Sequence, residues 1–98
     1  MGMPPFFTDE QPNSTTYRFE EPITSHGFSD TLEDGWQDRL DQAGLPEPIR
    51  DTLSRIISRH RDGMDSIRLS EDLIHVNWIR KSPEKAESVS NIICGFPG

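Results

Sequence analysis

The chain has 98 residues, of which 32% are hydrophobic, and its 17 acidic and 10 basic residues give a formal net charge of -7. A chain of this length folds into one domain at most. No run approaches the ~20 apolar residues that a membrane-spanning helix needs. The sequence therefore argues against a transmembrane protein and against a large enzyme with a deep private cavity.

Charge is divided unevenly between the two halves of the chain. Residues 1–48 hold ten acidic and two basic residues, whereas residues 49–98 hold seven acidic and eight basic residues. Two interpretations follow from this asymmetry. Either the halves neutralise each other within the fold, or the first half presents an acidic face to a basic partner.

The beginning of the chain has the composition of a disordered segment. Residues 1–27 carry four of the eight prolines, many Ser and Thr, and no sustained hydrophobic period. Because such a segment buries too little surface to offset its ordering entropy, we expect a flexible N-terminal arm there and a small globular domain over residues 28–98. Within the arm, Phe6, Phe7 and Tyr17 either lie loosely over the core or form a short motif that folds on a partner.

Two helices are predicted next, and the short proline-rich connection between them implies an αα-hairpin. The first helix covers residues 29–43, with Ser29 or Asp30 as the N-cap. Its apolar stripe is formed by Leu32, Trp36 and Leu40, and its opposite face carries the carboxylates of Glu33, Asp34, Asp38 and Asp41. The second helix begins at residue 47 or 49 and ends near residue 62. Its stripe has the clearest helical period in the chain: Ile49, Leu53, Ile56, Ile57 and His60.

The rest of the chain predicts a β-hairpin and a last helix. Residues 66–80 favour two strands with a turn near 70–72, although a helix that begins at Ser70 competes with this interpretation. Ser82, Pro83 and the acid that follows are typical of a helix start. The predicted fold is therefore α+β: an αα-hairpin, a β-hairpin and a C-terminal helix, preceded by the arm. If residues 70–80 are helical, the fold is all-α.

Residues that could carry chemistry are few and scattered. His26, His60 and His75 lie far from one another and from Cys94 in the sequence, so a zinc site is not expected. Cys94 follows two isoleucines and is expected to be a small buried thiol. The chain contains no GxSxG, P-loop or GxGxxG motif. We therefore expect no enzymatic activity, no metal and no cofactor. A lone thiol without a secretion signal favours the cytoplasm.

The sequence favours a non-enzymatic interaction protein that binds a partner with a basic surface, as an inhibitor or a nucleic-acid mimic. Its predicted contact residues are Glu33, Asp34, Asp38, Asp41, Phe6, Phe7 and Tyr17. One alternative is a small nucleic-acid-binding regulator that uses the second helix through Arg55, Arg59 and Arg61, although the negative net charge makes nucleic acid the less favoured partner. A second alternative is an adaptor subunit of a larger complex. The marginal size of the core also allows a homodimer.

Overall fold

A computed structural model describes residues 4–94, which form five strands, three α-helices and one 3₁₀ turn. In chain order, the elements are β1 (Phe6–Gln11), β2 (Ser14–Phe19), β3 (Phe28–Asp30), α1 (Trp36–Gln42), α2 (Glu47–His60), the 3₁₀ turn (Arg61–Gly63), β4 (Met64–Ser70), β5 (Leu73–Trp78) and α3 (Pro83–Cys94).

The strands form a single antiparallel sheet with the order β1-β2-β5-β4-β3. Two hairpins, β1–β2 and β4–β5, meet where β2 pairs with β5. In that pairing, Thr15 lies opposite Val76 and Tyr17 lies opposite Ile74. The sheet order places β1 and β3 at opposite edges, separated by four strand spacings or about 19 Å.

One face of the sheet is apolar because alternate residues of its central strands point towards it. Buried side chains recur at every second position of β5, at Ile74, Val76 and Trp78. The three helices pack on this face, and their buried residues join the same core as those of the strands. At the centre of α2, Leu53 and Ile56 are completely buried.

The N-terminal segment is part of this sheet, so the predicted order of elements is wrong. The structure is α+β, but a β-hairpin comes first, within the segment that the sequence predicted to be a flexible arm. Tyr17 is completely buried and Phe19 is nearly so, and β2 pairs with β5, a strand far along the chain. The predicted boundary at residue 27 lies between β2 and β3, which belong to one sheet.

The first predicted helix is much shorter than residues 29–43. α1 begins only at Trp36, and residues 28–30 form the edge strand β3. Leu32 and Gly35 have positive φ angles, 67° and 89° respectively. These left-handed conformations interrupt an α-helix. The spacing of Leu32 and Trp36 resembled a helical stripe because both side chains are buried, although a turn separates them.

The predicted secondary structure agrees with the structure more closely in the second half of the chain than in the first. The β-hairpin is confirmed, with its turn at Glu71 and Asp72, and the all-α alternative is wrong. α2 and α3 occupy the predicted segments. Between residues 4 and 94, no helix has the length and apolar character needed to cross a membrane.

Candidate binding surfaces

The turn before α1 is held to the helix by one arginine. Arg39 donates to both carboxylate oxygens of Asp30, from Nε at 2.6 Å and from Nη2 at 2.9 Å. The same guanidinium also donates to the backbone carbonyls of Glu33 and Asp34, at 2.9 and 3.1 Å. Asp30 accepts a further bond from the Leu32 amide at 2.7 Å. These bonds fix the conformation of the turn.

The Asp30 carboxyl group is buried and paired. The Asp30 side chain is only 4% exposed. Hydrogen bonding from Arg39 lowers the pKa of the Asp30 carboxyl group below the ordinary value. Burial acts in the opposite direction and raises this pKa, but its effect is smaller. The hydrogen bond from the Leu32 amide lowers the pKa further. Asp30 is therefore a structural carboxylate, which is charged and paired within the fold.

The four predicted partner-binding carboxylates lie in this turn and on α1. We call Glu33, Asp34, Asp38 and Asp41 the acidic surface. All four residues are exposed. Asp34 accepts a bond from Arg61 Nη2 at 3.1 Å, but its side chain remains fully exposed. Within residues 4–94, the carboxylates of Glu33, Asp38 and Asp41 form no ion pair.

A shallow cavity between α1 and α2 adjoins the acidic surface. It has a volume of about 440 Å³, and both Asp38 and Asp41 line it. Across the cavity, Arg50 forms a half-buried pair with Asp51 at 3.2 Å. This pair is between neighbours on α2, so the nearest arginine across the cavity is already engaged by another carboxylate.

The three predicted aromatic contacts do not share a surface. Tyr17 is completely buried, and its hydroxyl group donates to the Ala86 carbonyl of α3 at 2.8 Å. Burial raises the pKa of Tyr17 above its usual range, and the charge of Glu10 acts in the same direction. Phe6 packs against Tyr17 and Phe19, with ring centroids 6.0 and 5.3 Å away.

Phe7 alone among these aromatics is strongly exposed, at 59%. It lies on β1, whereas the acidic surface lies beside β3 at the opposite edge of the sheet. The side chain of Phe7 and the acidic surface therefore lie at different edges of the sheet, about 19 Å apart.

The arginines of the predicted nucleic-acid site point in two directions. Arg61 donates from Nε to the Leu32 carbonyl and from Nη2 to Asp34, which turns it towards the acidic surface. Arg55 and Arg59 instead line a groove of about 710 Å³ between α2 and α3. We call this the α2–α3 groove. Its other lining residues are Ser58, Glu84, Glu87, Ser88, Asn91 and Ile92.

His60 joins the two helices at the edge of this groove. Its Nε2 atom lies 2.8 Å from the Ser88 hydroxyl oxygen, and its ring packs edge-on against Trp78 with centroids 6.1 Å apart. Burial lowers the pKa of His60, and the positive charges of Arg59 and Lys85 lower it further. A histidine and a serine at this distance suit a nucleophile pair, but no hydrogen bond to a carboxylate orients His60 among the described residues.

The sheet face away from the helices carries a row of polar side-chain contacts that the sequence patterns did not reveal. Thr16 Oγ1 lies 2.7 Å from His75 Nδ1, and His75 Nε2 lies 3.3 Å from Asn77 Oδ1. Asn77 then donates to the Ser66 hydroxyl at 3.0 Å. Only the strand register could have revealed this row of contacts, because Thr16 and His75 are 59 positions apart in the sequence and meet as directly paired residues of β2 and β5. These contacts order polar side chains across three strands.

Side chains that could bind a metal do not converge in the described part of the chain. Between residues 4 and 94, no group of three or more His, Cys, Asp or Glu residues is close enough to hold a metal ion. Cys94 is exposed rather than buried, which corrects the prediction made from its apolar neighbours.

Comparisons with known proteins found no relative of this chain. No protein-family model matches the chain, and no significant match was found among curated proteins or solved structures.

Proposed function

We propose that the chain is a non-enzymatic interaction protein that uses the acidic surface to bind a partner protein with a basic site. The observation that supports this most is the exposure of four carboxylates on α1 and its preceding turn, three of which form no ion pair within residues 4–94. Carboxylates that the fold leaves exposed retain their charge for an intermolecular contact.

The mechanism is electrostatic attraction followed by occlusion. A negative net charge of -7 increases the rate of encounter with a basic protein, and the effect weakens as salt screens the charges. If the partner's basic site normally binds nucleic acid, the carboxylates take the places of phosphate groups. The protein then acts as a competitive inhibitor of nucleic-acid binding.

The turn before α1 supports this role because it is ordered. Arg39 holds the backbone at Glu33 and Asp34 and also binds Asp30. A surface that is already in its binding conformation loses less entropy on association. Arg39 thus acts as a positioning residue for the acidic surface.

The alternative of nucleic-acid binding through α2 has weaker support. Arg61 is engaged by Asp34, and the groove that contains Arg55 and Arg59 also contains Glu84 and Glu87. Carboxylates beside the arginines oppose phosphate binding. No specific observation favours this alternative or the adaptor role over the acidic surface.

Capture of partners from a lysate of the source cell tests the proposal. The bait is the tagged wild-type chain, used with and without nuclease, beside a triple variant, Asp34→Asn, Asp38→Asn, Asp41→Asn. A matched control, Glu20→Gln, Glu71→Gln, Asp72→Asn, removes the same charge from exposed residues elsewhere.

We expect one protein with a basic site to be retained after nuclease by the wild type and the control, but not by the triple variant. Retention of that protein by all three baits contradicts the assignment of the acidic surface. Recovery of nucleic acid alone contradicts the proposed function and supports the α2 alternative.

A further inference from the structure

The α2–α3 groove carries an opposite charge on each of its two sides. On α2, Arg55 and Arg59 lie one helical turn apart and both are exposed. On α3, Glu84 and Glu87 are likewise exposed and lie on one helix face. One side is therefore basic and the other is acidic, in contrast to the mostly negative acidic surface.

Apolar side chains accompany this groove. Ile92 lines it and is half-buried, and Ile79 is 61% exposed in an adjoining cavity of about 360 Å³. Arg59 lines both cavities, so they adjoin at this residue. Ile79 is a large hydrophobic residue that the fold leaves in water, fixed in place by a bond from its amide to the Gly63 carbonyl at 2.8 Å.

We propose that this groove is the interface of a two-fold symmetric homodimer, in which the arginine side of each copy faces the glutamate side of the other. A two-fold axis that runs along the groove superimposes α2 of one copy on α3 of the second. Each copy then contributes the same patch, as a closed isologous interface requires. An axis across the groove would instead place arginines against arginines, so the charges select the first arrangement.

The apolar residues fit the same symmetry. Rotation about an axis along the groove keeps every residue at its own end, so the Ile79 cavities of the two copies, which Arg59 and Lys85 also line, lie at the same end of the dimer. Burial of these isoleucines supplies an attraction that salt does not screen. The acidic surface lies on the other side of α2 and remains free for a different partner.

Charge reversal tests the proposal without any knowledge of other partners. In the proposed dimer, residue 59 of each copy faces residue 87 of the other, so this contact occurs twice. The single variant Arg59→Glu places glutamate against glutamate at both contacts. The single variant Glu87→Arg places arginine against arginine at both. An equimolar mixture of the two single variants pairs opposite charges at both contacts. Matched controls are Arg18→Glu and Glu71→Arg, which make equal reversals at exposed positions away from the groove.

Sedimentation velocity over a range of concentrations is the measurement. We expect the wild type and both controls to dimerise, each single variant to self-associate at least ~10-fold more weakly, and the mixture to regain dimers. The mixture also shows that both variants are folded. A wild type that stays monomeric at every concentration, or single variants that dimerise as well as the wild type, would overturn the proposal. Loss of dimer in both single variants without recovery in the mixture would also overturn it.

Discussion

The two sides of α2 differ in how their charges are arranged, and the two proposals rest on this difference. Towards α1, Asp38 and Asp41 line a cavity beside the acidic surface. Towards α3, Arg59 and Glu87 line opposite sides of a groove. The carboxylates of the acidic surface outnumber the neighbouring arginines, Arg39 and Arg61, so this mostly negative surface repels a second copy of itself and suits a partner of opposite sign. A surface with both signs side by side complements its own copy. The same helix thus lies between the proposed site for a basic partner and the proposed interface for self-association.

Both sites depend on α2 keeping its place over the sheet, so the largest effect is expected from its core. Ile56 is completely buried at the centre of the helix. Ile56→Ala should lower the free energy of unfolding by about 3 kcal/mol, through lost burial and the cavity that remains. Urea unfolding at a fixed protein concentration measures this change. A loss below about 1 kcal/mol would contradict the packing of Ile56 in the core that α2 shares with the sheet.

A change in the turn before α1 should affect only one of the two sites. Asp30→Ala removes the bidentate partner of Arg39 and the acceptor for the Leu32 amide. Unfolding should become easier by about 2 kcal/mol, with faster amide hydrogen exchange at Leu32. Dimerisation should be unchanged because the α2–α3 groove lies on the other side of α2. Loss of dimerisation in a folded Asp30→Ala protein would show that the two sites are coupled.

His60 makes the α3 side of α2 sensitive to pH. Its pKa is lowered from the ordinary value of 6.5, so the unfolded chain binds a proton at a higher pH than the folded chain does. The stabilisation from neutral His60 is therefore complete above pH 6.5 and is lost as the pH falls through that value towards the folded pKa. His60→Gln should reduce this dependence, measured by urea unfolding across the same pH range. If the free energy of unfolding of the variant falls equally steeply with pH, another titratable group causes the pH dependence.

The smallest effect on stability is expected from the acidic surface itself. Asp38 and Asp41 are exposed and form no ion pair within residues 4–94. Asp38→Asn with Asp41→Asn should change the free energy of unfolding by no more than about 0.5 kcal/mol. A larger loss in urea unfolding would indicate that these carboxylates have a structural role.

Sequence patterns predicted the elements whose burial follows a local period. α2 and α3 have apolar stripes with helical spacing, and β4 and β5 alternate around a tight turn, so their positions could be read from the sequence. β2 could not be identified as an inner strand in the same way. Its burial depends on pairing with β5, and Tyr17 is held by α3, 69 positions away. Long-range partners decided the conformation of this segment.

The candidate site shows the same limit. The residues of the acidic surface were predicted on one helix, and the structure places them on a turn and a short helix held together by Arg39. Composition identified the charges but could not show that Arg39 binds Asp30, since a strand and a helix must first be brought together. The pairing of Arg61 with Asp34 also needs the folded chain, because 27 positions separate them.

The central claim is that the exposed carboxylates of the acidic surface bind a basic partner. The most direct measurement is the affinity of the captured partner for the wild type and for Asp38→Asn with Asp41→Asn, titrated at several salt concentrations. Glu71→Gln with Asp72→Asn is the control of equal charge. We predict weaker binding and a shallower salt dependence for the α1 variant alone. Equal affinity and equal salt dependence for all three proteins would contradict the claim.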